Sequence, residues 1–241
     1  MAKKEFFLLV DTETTQDEKV ADFGAIVCDK KGKIFSQCGV LIDGIFGETN
    51  HPLFFDSSLP PDALWSKSGA DARLARYSAM LTDGSRGLYS VASVNRWLAR
   101  VNAQYNPILT AYNISFDSGK CRKTGIDLDM FSRRFCLMAE AQQLLYNNKD
   151  YLMFALEHHC FGNKTKKTGS ITMQMKAETV ASYLAGEYLI EPHTALEDVL
   201  DFELAILQFV CRKRSIKSLV NSRSKAVNYT QRQLRDLFKP A

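Results

Sequence analysis

Three apolar runs occupy the first 42 residues, and each is typical of a β-strand. The run Phe6–Val10 is aromatic and β-branched, as in a buried strand. Asp22–Cys28 and Lys33–Ile42 have a similar character. The turn Asp29–Gly32 between them is typical of a hairpin in which the glycine takes a positive φ. Three successive strands predict an antiparallel meander.

Beyond residue 89 the apolar positions follow the spacing of helices. In the segment 90–101 they recur every three or four residues and form one face. The helices predicted from such spacing and from capping signals cover residues 90–101, 139–146, 151–161, 177–185, 194–210 and 230–238. Short strands are predicted at 107–111 and 134–137, and a helix starting at Ser115. Strands first and helices later, with one βα repeat, predict an α/β domain with a mixed β-sheet flanked by α-helices.

The segment Asp43–Tyr89 has weak periodicity, several prolines and only two short helical stretches, at 62–67 and 70–81. Such a segment is either a functional lid or an elaboration packed at the rim of the domain. Its aromatic side chains are suited to stacking on bases, but we interpret them as anchors that hold the segment to the core. These aromatic residues are Phe54, Phe55 and Trp65.

Composition indicates a globular protein with a substantial core. Of the 241 residues, 46% are hydrophobic and 24% are charged. The six cysteines are scattered without CxxC spacing, so we expect reduced thiols in a reducing compartment. The N-terminal apolar run ends too early for a signal peptide, and no run approaches the length that spans a membrane. We therefore expect a cytoplasmic protein without a membrane partner.

Basic residues are concentrated in the last part of the sequence. The whole chain has a net charge of +4, whereas residues 212–241 contain nine Lys or Arg and one Asp, a net of +8. A basic segment behind an acidic body suits a polyanionic partner such as nucleic acid. For any single one of these residues, a solvated surface position is the alternative.

Two carboxylates end the first strand. Because strand side chains alternate between faces, Asp11 and Glu13 project to one side and Thr12 to the other. Neighbouring anions repel each other unless a cation compensates them, and hard ions such as Mg²⁺ or Mn²⁺ prefer oxygen ligands. A strand that runs into a solvated turn is the alternative. The metal hypothesis therefore depends on further carboxylates in matching positions.

Two later segments supply such carboxylates. Asp117 follows a short predicted strand and lies in the first turn of a helix. Thr194 and Glu197 have the spacing of a capping box, which places Asp198 within a helix and thus on a rigid element. His193 then lies on the loop before the helix, free to move, as suits a group that takes a proton from water.

These segments together resemble the three exonuclease motifs of the DEDDh (DnaQ-like) 3′→5′ exonucleases, which have the ribonuclease H-like fold. The resemblance covers most of residues 6–210. The matching residues are Asp11-Thr12-Glu13-Thr14 for the first motif, Asn113-x-x-Phe116-Asp117 for the second, and Glu191-Pro192-His193 with Asp198 for the third. Tyr112 departs from the pattern, since many relatives have histidine at that position.

The resemblance implies two Mg²⁺ or Mn²⁺ ions and a histidine that acts as general base. The residues it assigns are Asp11, Glu13, Asp117 and Asp198 as metal ligands, His193 as the base, and Thr12, Thr14 and Asn113 beside the substrate. Phe116 is assigned to packing. Two ions would clamp the scissile phosphate and activate a water.

The activity so implied is hydrolysis of phosphodiester bonds from the 3′ end of single-stranded DNA, with release of nucleoside 5′-monophosphates. RNA trimming by the same chemistry is one alternative, and a catalytically silent nucleic-acid-binding scaffold is another. A polymerase or replication protein is a candidate partner. The exonuclease domain would span 1–210, with 43–89 as an inserted rim segment and 211–241 as a basic C-terminal extension outside the resemblance.

Overall fold

A computed structural model of the chain describes residues 4–162 and 171–215, together with residues 219, 228–229, 233 and 236. The apolar runs of the N-terminal part form the strands of a six-stranded sheet with the order β4-β3-β2-β1-β5-β6. The strands are β1 Phe6–Thr14, β2 Val20–Asp29, β3 Ile34–Ile42, β4 Leu88–Tyr89, β5 Ile108–Ala111 and β6 Arg134–Cys136. Strands β1, β2 and β3 pair antiparallel, as predicted, and the other pairs in this sheet are parallel.

Helices cover both faces of this sheet. They are α1 Lys67–Asp83, α2 Val91–Tyr105, α3 Ile114–Thr124, α4 Leu137–Leu145, α5 Lys149–Glu157, α6 Ala177–Ala185, α7 Ala195–Asp198 and α8 Leu204–Lys213. A π-helical turn, Val199–Glu203, joins α7 to α8. The expected architecture, an α/β fold with a mixed sheet flanked by helices, is confirmed.

Alternation along β1 divides the core in two. Phe7 and Leu9 are buried in a cluster with α4 to α8, whereas Leu8 and Val10 are buried with α2 and α3. Full burial of such a side chain stabilises the fold by roughly 1.5–3 kcal/mol. The same alternation places Asp11 and Glu13 on the face of α7, and Thr12 on the face of α3.

Several local predictions are confirmed. Gly32 in the β2–β3 hairpin has a φ of 82°, and α6 begins and ends at the predicted residues, with left-handed Gly186 after it. The predicted helix at 62–67 is wrong. Ser66 caps α1, since its Oγ accepts the N–H of Gly69 at 3.1 Å, so the helix begins at residue 67 and the preceding residues form turns.

A second, three-stranded sheet was not predicted from the sequence. It consists of β7 Phe161–Gly162, β8 Ile171–Met173 and β9 Asn228–Tyr229. Strands of two or three residues are too short to show alternation, so no pattern marks them. Leu219 is also buried in the core that contains α8. Parts of the basic C-terminal segment therefore pack against the domain.

Two predicted elements fall largely outside the described residues. They are the lysine-rich loop 162–169 and the last helix, 230–238, of which only Gln233 and Asp236 are described, both helical. In the part of the chain that is described, no helix combines the length and apolar character needed to cross a membrane. All six cysteines are free thiols, as expected.

Candidate active site

The carboxyl end of β1 is brought to α7 by a close approach between that helix and β2. Asp11 pairs with Gly24 across the β1–β2 ladder, and Glu13 pairs with Asp22. A Cβ atom at Gly24 would lie 2.2 Å from the carbonyl carbon of Ala195. Any residue other than glycine at this position would therefore clash with the backbone of Ala195. The missing side chain lets the start of α7 lie directly on the sheet, and α7 carries the predicted ligand Asp198.

The start of α7 is capped by a group that the sequence analysis did not identify. Thr194 is the N-cap residue, as predicted, but its buried Oγ1 has no hydrogen-bond partner and the capping box is wrong. The N–H of Ala195 donates instead to Oδ2 of Asp22, at 2.9 Å. Glu197, the other member of the predicted box, forms an ion pair with the buried Arg86. A carboxylate on the facing strand thus replaces the local cap.

Asp117 reaches the same place from the other face of the sheet. It lies in the first turn of α3 and is 3% exposed. Thr12 projects to that face, and its Oγ1 donates to Oδ1 of Asp117 at 2.8 Å. The Thr12 hydroxyl therefore orients a carboxylate. A contact between Thr12 and a nucleotide stays a prediction.

A cavity of about 570 Å³ opens over this end of β1. Its lining includes Asp11, Glu13, Asp198 and His193, which come from one strand, one helix and the loop before that helix. Glu13, His193 and Asp198 each offer a possible ligand atom, and these atoms lie within 4.8 Å of one another. The four residues that the motifs singled out at this edge are thus brought together by the fold.

A second cavity, of about 490 Å³, lies beside the first. Asp117 and Asn113 line it, and Asp11, Trp65 and His193 line both cavities. The two cavities therefore form adjoining parts of one groove, with the carboxylate cluster between them.

Burial and mutual repulsion raise the pKa values of these carboxyl groups. The pKa of Asp198 is raised to about 10, chiefly by burial and then by the charges of Glu191 and Glu13. Burial raises the pKa of Asp117 to about 7, although the hydrogen bond from Thr12 opposes the shift. The pKa of Asp11 is raised well above its usual range by burial and by neighbouring carboxylates. Such groups ionise together only when a cation compensates them.

The donor set fits a hard divalent cation. Oδ1 of Asp198 and Oε2 of Glu203 are buried and have no hydrogen-bond partner. Carboxylate oxygens are the ligands that Mg²⁺ and Mn²⁺ prefer, and buried charges are normally paired or bound to metals. The side chains of Asp11, Glu13, Asp117 and Asp198 are therefore suited to holding such ions.

Two further carboxylates in the cluster were given no role in the sequence analysis. Glu191 lies with its Oε2 4.0 Å from Nδ1 of His193, and burial raises its pKa to about 7. Glu203 is 2% exposed and lies on the π-helical turn. Glu191 was visible as part of the third motif. Glu203 gave no signal, since its position on the active-site side depends on an irregular turn.

The loop that carries His193 makes contacts with α1 and with Trp65, and the expectation that this loop moves stays a prediction. The carbonyl of His193 accepts a hydrogen bond from the Tyr77 hydroxyl at 3.3 Å, and the carbonyl of Pro192 accepts one from Arg76. The imidazole packs edge-on against Trp65, with ring centroids 4.8 Å apart. His193 has a φ of 54°, uncommon for a residue with a side chain. Contacts from α1 and Trp65 stabilise this conformation.

Nδ1 of His193 lies near two carboxylates. It lies 3.7 Å from Oε1 of Glu13 and 4.0 Å from Oε2 of Glu191. The His193 side chain is 16% exposed. The ring therefore has access to the cavity.

The positions of three aromatic side chains differ from those expected from the sequence. Phe54 and Trp65 line the first cavity instead of anchoring the segment to the core. Phe116, assigned to packing, is 44% exposed and lines both cavities. Nζ of Lys120 lies 4.8 Å from the centroid of the Phe116 ring. The groove therefore has an aromatic wall, beside which Lys120 forms an ion pair with Glu18.

The remaining predicted substrate residues lie at the groove. Thr14 lines the first cavity. Asn113 is exposed at the start of α3, where its side chain makes no capping hydrogen bond. Tyr112, the departure from the motif, is buried, and its hydroxyl donates to the carbonyl of Met175 at 2.5 Å. Tyr112 thus has a structural contact in this chain.

The similarity of this chain to known proteins is weak. No family model matches the chain, and no curated protein matches it. Among solved structures, E. coli Exonuclease I in complex with a 5cy-dT13 oligonucleotide is similar at 16% sequence identity and a TM-score of 0.42. The alignment covers 89% of this chain, which spans 42% of the length of that structure.

Proposed function

We propose that this protein is a metal-dependent 3′→5′ exonuclease that hydrolyses single-stranded DNA and releases nucleoside 5′-monophosphates. The observation that carries the proposal is the convergence of four carboxylates and one histidine at a single groove. They come from β1, α3, α7 and the loop before α7, which are far apart in the sequence. They are Asp11, Glu13, Asp117, Asp198 and His193.

The four carboxylates would hold two Mg²⁺ or Mn²⁺ ions. Bound divalent ions supply Lewis-acid stabilisation of the scissile phosphate and of the leaving 3′ oxygen, and they activate a water for attack. The protein contributes a rigid arrangement of oxygen donors. Asp198 is fixed by α7 on the sheet, and Asp117 by its bond to Thr12.

His193 would take the proton from the attacking water. An imidazole accepts protons near neutral pH. Glu13 and Glu191 lie within about 4 Å of its Nδ1 and stabilise the imidazolium that proton transfer produces. The contacts from Tyr77 and Arg76 hold the ring beside the cluster.

The groove suits a single strand. Phe54, Trp65 and Phe116 present aromatic surface on which unpaired bases stack, and such stacking contributes roughly 1–3 kcal/mol per base. A base within a duplex is already stacked and paired, so single-stranded ends are the favoured substrate.

The test is digestion of 5′-labelled DNA and RNA strands of matched sequence, with Mn²⁺ or Mg²⁺. We expect a ladder that shortens from the 3′ end, release of mononucleotides, and faster digestion of DNA. Asp11→Ala is expected to abolish release. Asp129→Asn, an exposed carboxylate outside the groove, is the control and keeps wild-type activity.

Faster digestion of the RNA strand would replace the DNA assignment by RNA trimming. Binding of single strands without release of nucleotides in either metal would show that the protein is a scaffold and would overturn the proposal.

A further inference from the structure

Glu203 is turned towards the carboxylate cluster by the π-helical turn. In an α-helix, residues five apart are rotated by about 140° around the axis, so Asp198 and Glu203 would face different directions. Here the N–H of Leu204 donates to the carbonyl of Val199, five residues earlier, which widens the turn. Asp198 lines the first cavity, Glu203 lines the second, and Asp11 lines both.

The surroundings of Glu203 do not explain why a carboxylate is buried there. Its side chain is 2% exposed, and Oε2 has no hydrogen-bond partner. The charged groups that act on it most strongly are the carboxylates of Asp117 and Glu191. Among the described residues, no basic side chain forms an ion pair with it. A buried anion among anions is costly unless a cation is bound.

Two carboxylates, Asp11 and Glu191, line both cavities. Glu13 and Asp198 line only the first cavity, with Asp11, whereas Asp117 and Glu203 line only the second, again with Asp11. At the second cavity Glu203 therefore lies with Asp11 and Asp117, and these three carboxylates come from the π-helical turn, β1 and α3. This set is suited to holding a cation apart from Glu13 and Asp198.

We propose that Glu203 is a further metal ligand, which binds a divalent cation together with Asp11 and Asp117 on the side of the groove away from Glu13 and Asp198. The proposal deepens the function proposed above and rests on it for the presence of cations at Asp11. It assigns a fifth carboxylate to the metal centre.

A purely structural role for Glu203 is the competing explanation. The backbone of Tyr112, just after β5, interacts with the Glu203 carboxylate and opposes the rise in its pKa that burial causes. Oε2 of Glu203 has no hydrogen-bond partner. A structural role predicts a change in stability only, whereas a ligand role predicts a change in metal binding.

The experiment is calorimetric titration of Mn²⁺ into the metal-free protein, without nucleic acid. We expect two bound ions in the wild type. In Glu203→Gln, which keeps the shape and the contact with Tyr112, one ion is expected to bind at least about tenfold more weakly. Glu140→Gln is the matched control, because Glu140 is also 2% exposed but lies outside the groove, near Arg214. Circular dichroism verifies that each variant is folded.

The proposal is overturned if Glu203→Gln binds both ions with wild-type affinity, or binds them more tightly because only repulsion was removed. It is also overturned if the wild type binds fewer than two ions. Two ions in the wild type and one weakened ion in Glu203→Gln support it, whatever the digestion assay shows. Failure to degrade DNA with intact metal binding would overturn only the proposed exonuclease function, so the two proposals fail separately.

Discussion

The carboxylates and the histidine of the groove are held in different ways. Asp11, Glu13 and Asp198 are carried by a strand and a helix that pack directly on each other, since Gly24 leaves room for the approach. His193 is carried by a loop that contacts Tyr77 and Arg76 of α1, and its ring packs against Trp65. This difference matches the two proposed roles. Carboxylates that bind metal ions require a fixed geometry, whereas a histidine that accepts a proton needs only to be kept near the reacting water.

The largest expected effect is that of Asp198→Asn. This change removes the charge of a proposed metal ligand. Metal-ion catalysis contributes several kcal/mol of transition-state stabilisation, so nucleotide release should fall by roughly a thousandfold or more. The metal-free variant should be at least as stable as the wild type, because Asp198 is a buried carboxylate with a strongly raised pKa. Digestion kinetics and urea unfolding measure the two effects. A stable variant with wild-type activity would remove Asp198 from the metal centre.

His193→Gln should reduce nucleotide release by roughly 10²–10⁴-fold, the usual contribution of a positioned base. Because the carboxylates remain, Mn²⁺ affinity should change much less than in Asp198→Asn. Measurements of nucleotide release and calorimetric titration of Mn²⁺ on the same variant check whether activity is lost while Mn²⁺ affinity is kept. A loss of Mn²⁺ binding equal to that of Asp198→Asn would make His193 a ligand rather than a base.

The stability of the metal-free protein should fall as the pH rises through the range from about 4 to 7. The folded pKa values of Asp117 and Asp198 are raised from 3.8 to about 7 and about 10. In this range the folded protein therefore retains protons that the unfolded chain releases, and unfolding is favoured by rising pH. Urea unfolding in EDTA at about pH 5 and about pH 7 measures the effect. Saturating Mn²⁺ should reverse the trend, because it binds the ionised groups.

Gly24→Ala tests the packing that supports the carboxylates. The added Cβ would overlap the backbone of Ala195, so α7 must shift, and we expect a loss of about 1–3 kcal/mol in the free energy of unfolding. Mn²⁺ affinity should fall with it, since Asp198 moves. Gly44→Ala is a control for the loss of a glycine, because Gly44 has no neighbouring atom within 4 Å of an added Cβ, although its φ of 75° adds strain. Unchanged Mn²⁺ affinity in Gly24→Ala would show that metal binding does not depend on the packing of α7 against β2.

Tyr77→Phe should have the smallest effect. It removes the hydrogen bond to the carbonyl of His193, worth about 0.5–1.5 kcal/mol, so kcat should fall up to about tenfold. KM and Mn²⁺ affinity should remain unchanged, because the carboxylates are held elsewhere. Ser78→Ala, which alters an exposed hydroxyl on the same helix, is the control. A decrease in Mn²⁺ affinity would show that α1 supports the carboxylates as well as His193. The carboxylates and the histidine would then not be held independently.

The sequence by itself determined the main elements of the first sheet and selected the candidate site residues. The apolar runs predicted β1, β2 and β3, and the helical spacing predicted α2 and α6, because these signals come from neighbouring residues. Alternation along β1 placed Asp11 and Glu13 on one face, and Thr12 on the other. The motifs selected Asp117, His193 and Asp198, and the structure brings all of them to one groove.

Only the tertiary structure decided how these groups are supported. Asp22 caps α7 from 173 residues away, and Tyr77 contacts His193 across 116 residues. Such contacts leave no trace in local periodicity, which is why the capping box at Thr194 was wrong. Glu203 reaches the groove through a π-helical turn, although its spacing from Asp198 is unfavourable in an α-helix. Local patterns fix elements, whereas the partners of buried polar groups depend on which distant elements pack together.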